Sequence, residues 1–123
     1  MLFASGEIRV VIQGTSAQST GEDTVEVLVA RRWYHIGFTY GGAAGSANLK
    51  IYLNGEEADT TVIQDNQSGS ILGDDNLMFG ARYSTSSSVF FDGRISDEKV
   101  FNVALTPIQV RDLYERSRRG FLQ

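Results

Sequence analysis

Cysteine is absent from this 123-residue chain, and proline, histidine and tryptophan each occur once. Without cysteine there is no disulfide framework and no thiolate chemistry. The single imidazole, His35, has no flanking residues resembling a nucleophile elbow. No apolar run approaches the ~20 residues that span a bilayer, so no membrane partner is expected. Residues 1–6, Met-Leu-Phe-Ala-Ser-Gly, lack the basic and apolar regions of a signal peptide. Basic residues are outnumbered, 11 Lys and Arg against 15 Asp and Glu, which leaves a net charge of −4. A surface that tracks nucleic-acid phosphates needs clustered cations, so nucleic acid is not an expected partner. The arginines that do cluster (Arg111, Arg116, Arg118 and Arg119) fit the solvated face of a helix.

What is abundant is small turn chemistry. Thirteen glycines and many Ser, Thr, Asn and Asp residues separate short apolar runs, the pattern of an all-β chain. The length suits one domain with one core. In Glu7–Gln13, Ile8, Val10 and Ile12 alternate with Arg9, Val11 and Gln13, which predicts a strand with one apolar face. The polar stretch Gly14–Asp23 reads as a loop, and Thr24–Ala30 as a strand with Val25, Val27 and Val29 on one face. Tyr34, Ile36, Phe38 and Tyr40 share a face of the strand Trp33–Tyr40 and are expected in the core.

The strongest local signal is Leu49-Lys50-Ile51-Tyr52-Leu53, then Asn54-Gly55, then Glu56–Ile63. Asn-Gly between alternating strands is the preferred type I′ hairpin turn, because both central residues take positive φ. A short strand is expected over Leu77–Arg82, a serine-rich loop over Tyr83–Ser88, and two strands or one bent strand over Val89–Phe101, turning at Asp92-Gly93. One helix closes the chain. Thr106 is the N-cap, Pro107 takes the first helical position, and Gln109 completes a capping box. Val110, Leu113 and Tyr114 form its apolar stripe, and Gly120 a C-terminal stop. Eight or so short strands and one late helix predict a sandwich and not a βαβ fold.

Four segments, in order, resemble the second half of a laminin G-like or pentraxin-like domain. They are Trp33–Tyr40, the hairpin Leu49–Glu56, Leu77–Ala81, and the closing run from Phe91-Asp92-Gly93-Arg94-Ile95 through Val100–Thr106. The resemblance implies an antiparallel β-sandwich, a jelly roll of the concanavalin A-like, laminin G-like kind, with one short C-terminal helix. It covers residues 33–114 well and 7–32 loosely. Ser96 stands where the closing motif of the family usually has Asp. The domain looks shortened at its N-terminal side, where the family begins with further strands. An unpaired sheet edge invites another chain, so a homo-oligomer or strands from a parent protein are expected.

Glucanases of this superfamily carry paired carboxylates two to four residues apart on one strand. No predicted strand has that pattern, so an enzyme is not expected. Pentraxins follow the Leu77–Gly80 segment with acidic calcium ligands, where this chain has Ala81-Arg82-Tyr83-Ser84. A single calcium at the rim is the remaining cofactor expectation, with Asp65, Asp74, Asp75 and Asn76 as candidate oxygen ligands. The plainer account of these residues is turn formation. Tyr52 is out of phase with Leu49, Ile51 and Leu53, so an exposed ring is expected there. Tyr52 and Tyr83, with Arg82 and Asp92 beside them, are the candidate ligand-binding residues. His35 is expected to be packed and hydrogen-bonded. These features together predict a non-catalytic binding or adhesion module, extracellular or surface-associated, whose ligand is carbohydrate or a protein surface. The alternative is an assembly module of a larger cell-surface or virion protein.

Overall fold

The structure, a computed structural model, describes residues 6–14, 18–42, 45–68, 70–71, 78–83 and 88–121. Two three-stranded antiparallel sheets form its body. In the first, β1 (Arg9–Gln13), β2 (Ser19–Thr24) and β6 (Thr60–Asp65) lie in that order. In the second, β3 (Ile36–Tyr40), β4 (Leu49–Leu53) and β5 (Glu56–Glu57) do the same. A separate hairpin pairs β7 (Ala81–Tyr83) with β8 (Ser88–Phe90). Helix α1 (Pro107–Phe121) ends the described chain. The fold is a β-sandwich with one short C-terminal helix.

The core forms where the apolar faces of the two sheets meet. Ile8 and Val10 of the first sheet cluster with Leu49, Ile51 and Leu53 of the second, and Ile51 is fully buried. Ile12, Leu28, Tyr34, Tyr40 and Ala58 pack around this centre. Alternation explains the set, because a period of two puts Ile8, Val10 and Ile12 on one face and Leu49, Ile51 and Leu53 on another.

Two local devices fold as the residues dictate. Asn54 and Gly55 hold φ of 52° and 82°, and the β4–β5 hairpin closes there, with Leu53 opposite Glu56. At the helix start the Gln109 N–H donates to Thr106 Oγ1 at 3.3 Å, and the Thr106 N–H donates to Gln109 Oε1 at 2.9 Å. That reciprocal pair satisfies two helix-end donors at once. Val110 is buried and Leu113 and Tyr114 are half-buried, as the stripe requires. Gly120 does not stop the helix, which continues to Phe121.

Elsewhere the structure corrects the reading. Ser19–Thr24 is not loop but β2, the central strand of its sheet. Its inward positions Thr20, Glu22 and Thr24 are polar yet buried, so no hydrophobic periodicity marks them. Thr24 shows how such a strand is tolerated: its Oγ1 accepts from the Ile8 N–H and donates to the Glu26 carbonyl, both at 3.0 Å. The valine run that follows is not a strand, and Val25, Val27 and Val29 are exposed. Ile36 and Phe38 are also more exposed than expected, at 44% and 55%. They sit on β3, an edge strand, while the facing sheet lies over β4. Of Val89–Phe101, only Val89 and Phe90 are in a strand, β8. Residues 91–106 have no regular structure, and the Phe91 ring folds over Gly93 instead.

Candidate functional site

A groove of about 220 Å³ opens beside the core, where the chain crosses from β5 in one sheet to β6 in the other. Its polar lining residues are Glu22, Lys50, Glu57 and Thr60, and the apolar residues beside them are Ala47, Leu49, Ile51 and Ala58, of which Leu49 and Ile51 are buried. Each polar group is placed by strand register. Glu22 lies opposite Val10 and therefore points to the inner face of the first sheet. A bulge at Gly21/Glu22 in the β2–β6 pairing shifts the register beside it. Thr60 pairs with Thr24 at the start of β6, and its hydroxyl donates to Glu22 Oε2 at 2.8 Å. That bond offsets part of the cost of keeping a carboxylate 6% exposed.

Lys50 and Glu57 alternate with the inward residues and so lie on the outer face of the second sheet, as Tyr52 does. The Lys50 ammonium donates to both oxygens of Glu57, at 2.7 and 2.8 Å. This hydrogen bonding, reinforced by the opposite charge, raises the Lys50 pKa above its usual value. Both residues are about half exposed, so the pair lends specificity more than stability. The residues lining the groove thus include carboxylate acceptors, an ammonium donor and a hydroxyl. Its volume is below that of ordinary drug-sized sites, which limits an occupant to one ring or the edge of a longer chain.

The residues singled out from sequence do not converge on this groove. Tyr52 has the expected phase but not the expected exposure. It is 1% exposed, and helix α1 lies against β5 beside it, so it offers no ring to a ligand. Asp92 is exposed, on the irregular segment after β8. Arg82 and Tyr83 are on β7, and their side chains lie outside the described residues, as do Asp74, Asp75 and Asn76 altogether. Asp65 ends β6 and accepts from Thr20 Oγ1 at 3.4 Å. Neighbouring Asn66 accepts from the Ser19 N–H at 3.1 Å, so this acidic turn ties β6 to β2. Among the described residues no three His, Cys, Asp or Glu side chains gather as a metal site. Sequence reasoning gives none of the four polar groove residues a ligand-binding role: Glu22 lies in a stretch that reads as loop, and Lys50, Glu57 and Thr60 lie in strands with no motif around them. The available signal was the alternation of Thr20, Glu22 and Thr24.

A family model described as the concanavalin A-like lectin/glucanases superfamily matches residues 1–111. The chain belongs to this superfamily. The match takes in β1 and β2 as well as the hairpin and the closing segment. No curated protein matches, and no solved structure does. Within the superfamily the chain has the β-sandwich and points to a binding module. Its name also covers glucanases, so the two carboxylates of the groove bear on catalysis. They come from opposite sheets, Glu22 from β2 and Glu57 from β5, and not from one strand. Both Glu57 oxygens are engaged by Lys50.

Proposed function

We propose that this superfamily member is a non-catalytic carbohydrate-binding module, working at a cell or particle surface, and that the groove between β5 and β6 holds its ligand. The observation that carries this reading is the groove lining itself, to which the buried Glu22 carboxylate, held by Thr60, and the ion-paired Lys50 and Glu57 all contribute. Sugar hydroxyls both donate and accept, so they match a site of mixed carboxylate, ammonium and hydroxyl groups. Carboxylate and ammonium partners also give the stronger, charge-assisted hydrogen bonds.

A glycan array probed with the protein, with and without calcium, tests this. Glu22→Gln and Lys50→Ala should each weaken a bound glycan about tenfold or more, the loss of one charge-assisted contact. Binding unaltered by both substitutions overturns the assignment of the groove. A calcium requirement would bring back the Asp65 and Asp74–Asn76 ligands. Glucan cleavage that Glu22→Gln abolishes would replace binding with catalysis.

A second reading has its own observation. Among the described residues β3 pairs only with β4, and Ile36 and Phe38 on this edge strand are exposed. An open edge with apolar side chains suits assembly, either with another copy or with strands of a parent protein. Absence of glycan binding together with a stable oligomer favours this reading.

A further inference from the structure

Helix α1 covers a polar arrangement that neither the core nor the groove uses. His35 precedes β3, and its backbone is clamped to the hairpin turn: the Asn54 N–H donates to the His35 carbonyl at 2.8 Å, and the His35 N–H donates to Asn54 Oδ1 at 3.1 Å. The pairing of Ile36 with Leu53 and Gly37 with Tyr52 puts His35 and Tyr52 on the same face. The His35 ring lies 5.8 Å from the ring of Tyr114 on α1, tilted by 56°. Its Nδ1 is buried and makes no hydrogen bond among the described residues, and the Tyr52 hydroxyl is in the same condition. Further contacts of the helix lie at three residues. Val110 is buried, Tyr114 lies against Gly55, and Arg111 meets Glu56 at 3.6 Å on the exposed rim.

We propose that α1 is a pH-sensitive latch: a proton on His35 releases the helix from the β4–β5 hairpin and uncovers Tyr52. The neutral imidazole tolerates its position, since an apolar neighbour costs it little. The imidazolium would carry a desolvated charge and a buried Nδ1–H donor with no acceptor. Undocking α1 returns that ring to water. The charged groups facing it do not reverse this balance. Asp97 favours the imidazolium and Lys99 opposes it, and the two are ion-paired with each other. Arg118 adds a further cation, 5.9 Å from the Tyr114 ring centre. Burial is the leading influence and lowers the His35 pKa below 6.5, its ordinary value. A depressed value in the docked state means that docking is fully favoured above 6.5 and is lost as pH falls toward the docked value.

His35 is the only histidine, so its imidazole carbon-bound protons can be followed by NMR without assignment ambiguity. The expected titration midpoint lies below 6.5, and one at or above 6.5 overturns the latch. Hydrogen exchange of the α1 amides, corrected for intrinsic rates, should show protection falling by up to about tenfold per pH unit in the window between the docked and free values. In His35→Gln that protection should not respond to pH over this range. The same fall in the variant, or a flat wild-type profile, overturns the proposal. A soluble paramagnetic probe should broaden Tyr52 ring signals of the wild type only at the acidic end, and broadening already at neutral pH contradicts a closed latch.

Discussion

Replacing Gly55 by alanine probes the junction of hairpin and helix, and two separate costs are expected. Gly55 holds φ of 82°, where an L-residue pays about 1–2 kcal/mol. A Cβ built there would also lie 2.8 Å from Tyr114 Cδ1, 2.9 Å from its Cβ and 3.0 Å from its Cγ. Carbon atoms in good contact sit at about 3.5–4.0 Å, so the helix must retreat by roughly 0.7–1 Å at this point. Overpacking of this kind costs about 1–3 kcal/mol, giving a total near 2–5 kcal/mol. Urea unfolding followed by the fluorescence of Trp33, the single tryptophan, reads the loss. With m of about 1–3 kcal/mol/M, the midpoint should fall by about 1–2 M. In a Tyr114→Ala background two of the three close contacts vanish, so Gly55→Ala should cost about 1 kcal/mol less there. A midpoint shift below about 0.3 M, or the same cost in both backgrounds, would refute the close approach of α1.

Two further outcomes follow from β1 and β2. Thr24→Val should cost about 2–3 kcal/mol in the same unfolding assay, since it leaves the buried Ile8 N–H without an acceptor; a neutral effect contradicts the buried polar strand. Asp23 accepts from Arg9 Nε at 2.6 Å and from Nη2 at 2.5 Å, and this fork lowers its pKa below 3.8. A lowered carboxylate pKa stabilises the fold above 3.8, and that contribution is lost as pH falls through the folded value. Urea midpoints measured through the acid range should therefore fall less steeply in Asp23→Asn than in the wild type, and parallel curves count against the fork.

Much of the fold was legible because short-range chemistry decides it. Asn54-Gly55 supplies both positive φ values, Thr106 and Gln109 cap α1, and Ile8 and Val10 alternate into the core. Strand β2 was illegible because its inner face is Thr20, Glu22 and Thr24, so tertiary hydrogen bonds take the place of hydrophobic periodicity. The run Val25–Val29 drew the strand boundary downstream for the same reason. For Tyr52 the phase was right, but exposure depends on what packs beside the strand, and α1 arrives there from about 60 residues away in sequence. The groove was least legible, because Glu22, Lys50, Glu57 and Thr60 meet only through the crossing of two sheets.

The groove beside β5 and β6 is the proposed ligand site of this superfamily member. Chemical-shift mapping tests it most directly, by titrating a glycan selected on the array into isotopically labelled protein. The largest shifts should fall on the amides of Glu22, Lys50, Glu57 and Thr60, and Lys50→Ala should require about tenfold or more glycan to produce them. Shifts centred instead on Ile36 and Phe38 of β3, with the groove amides unmoved, would contradict it.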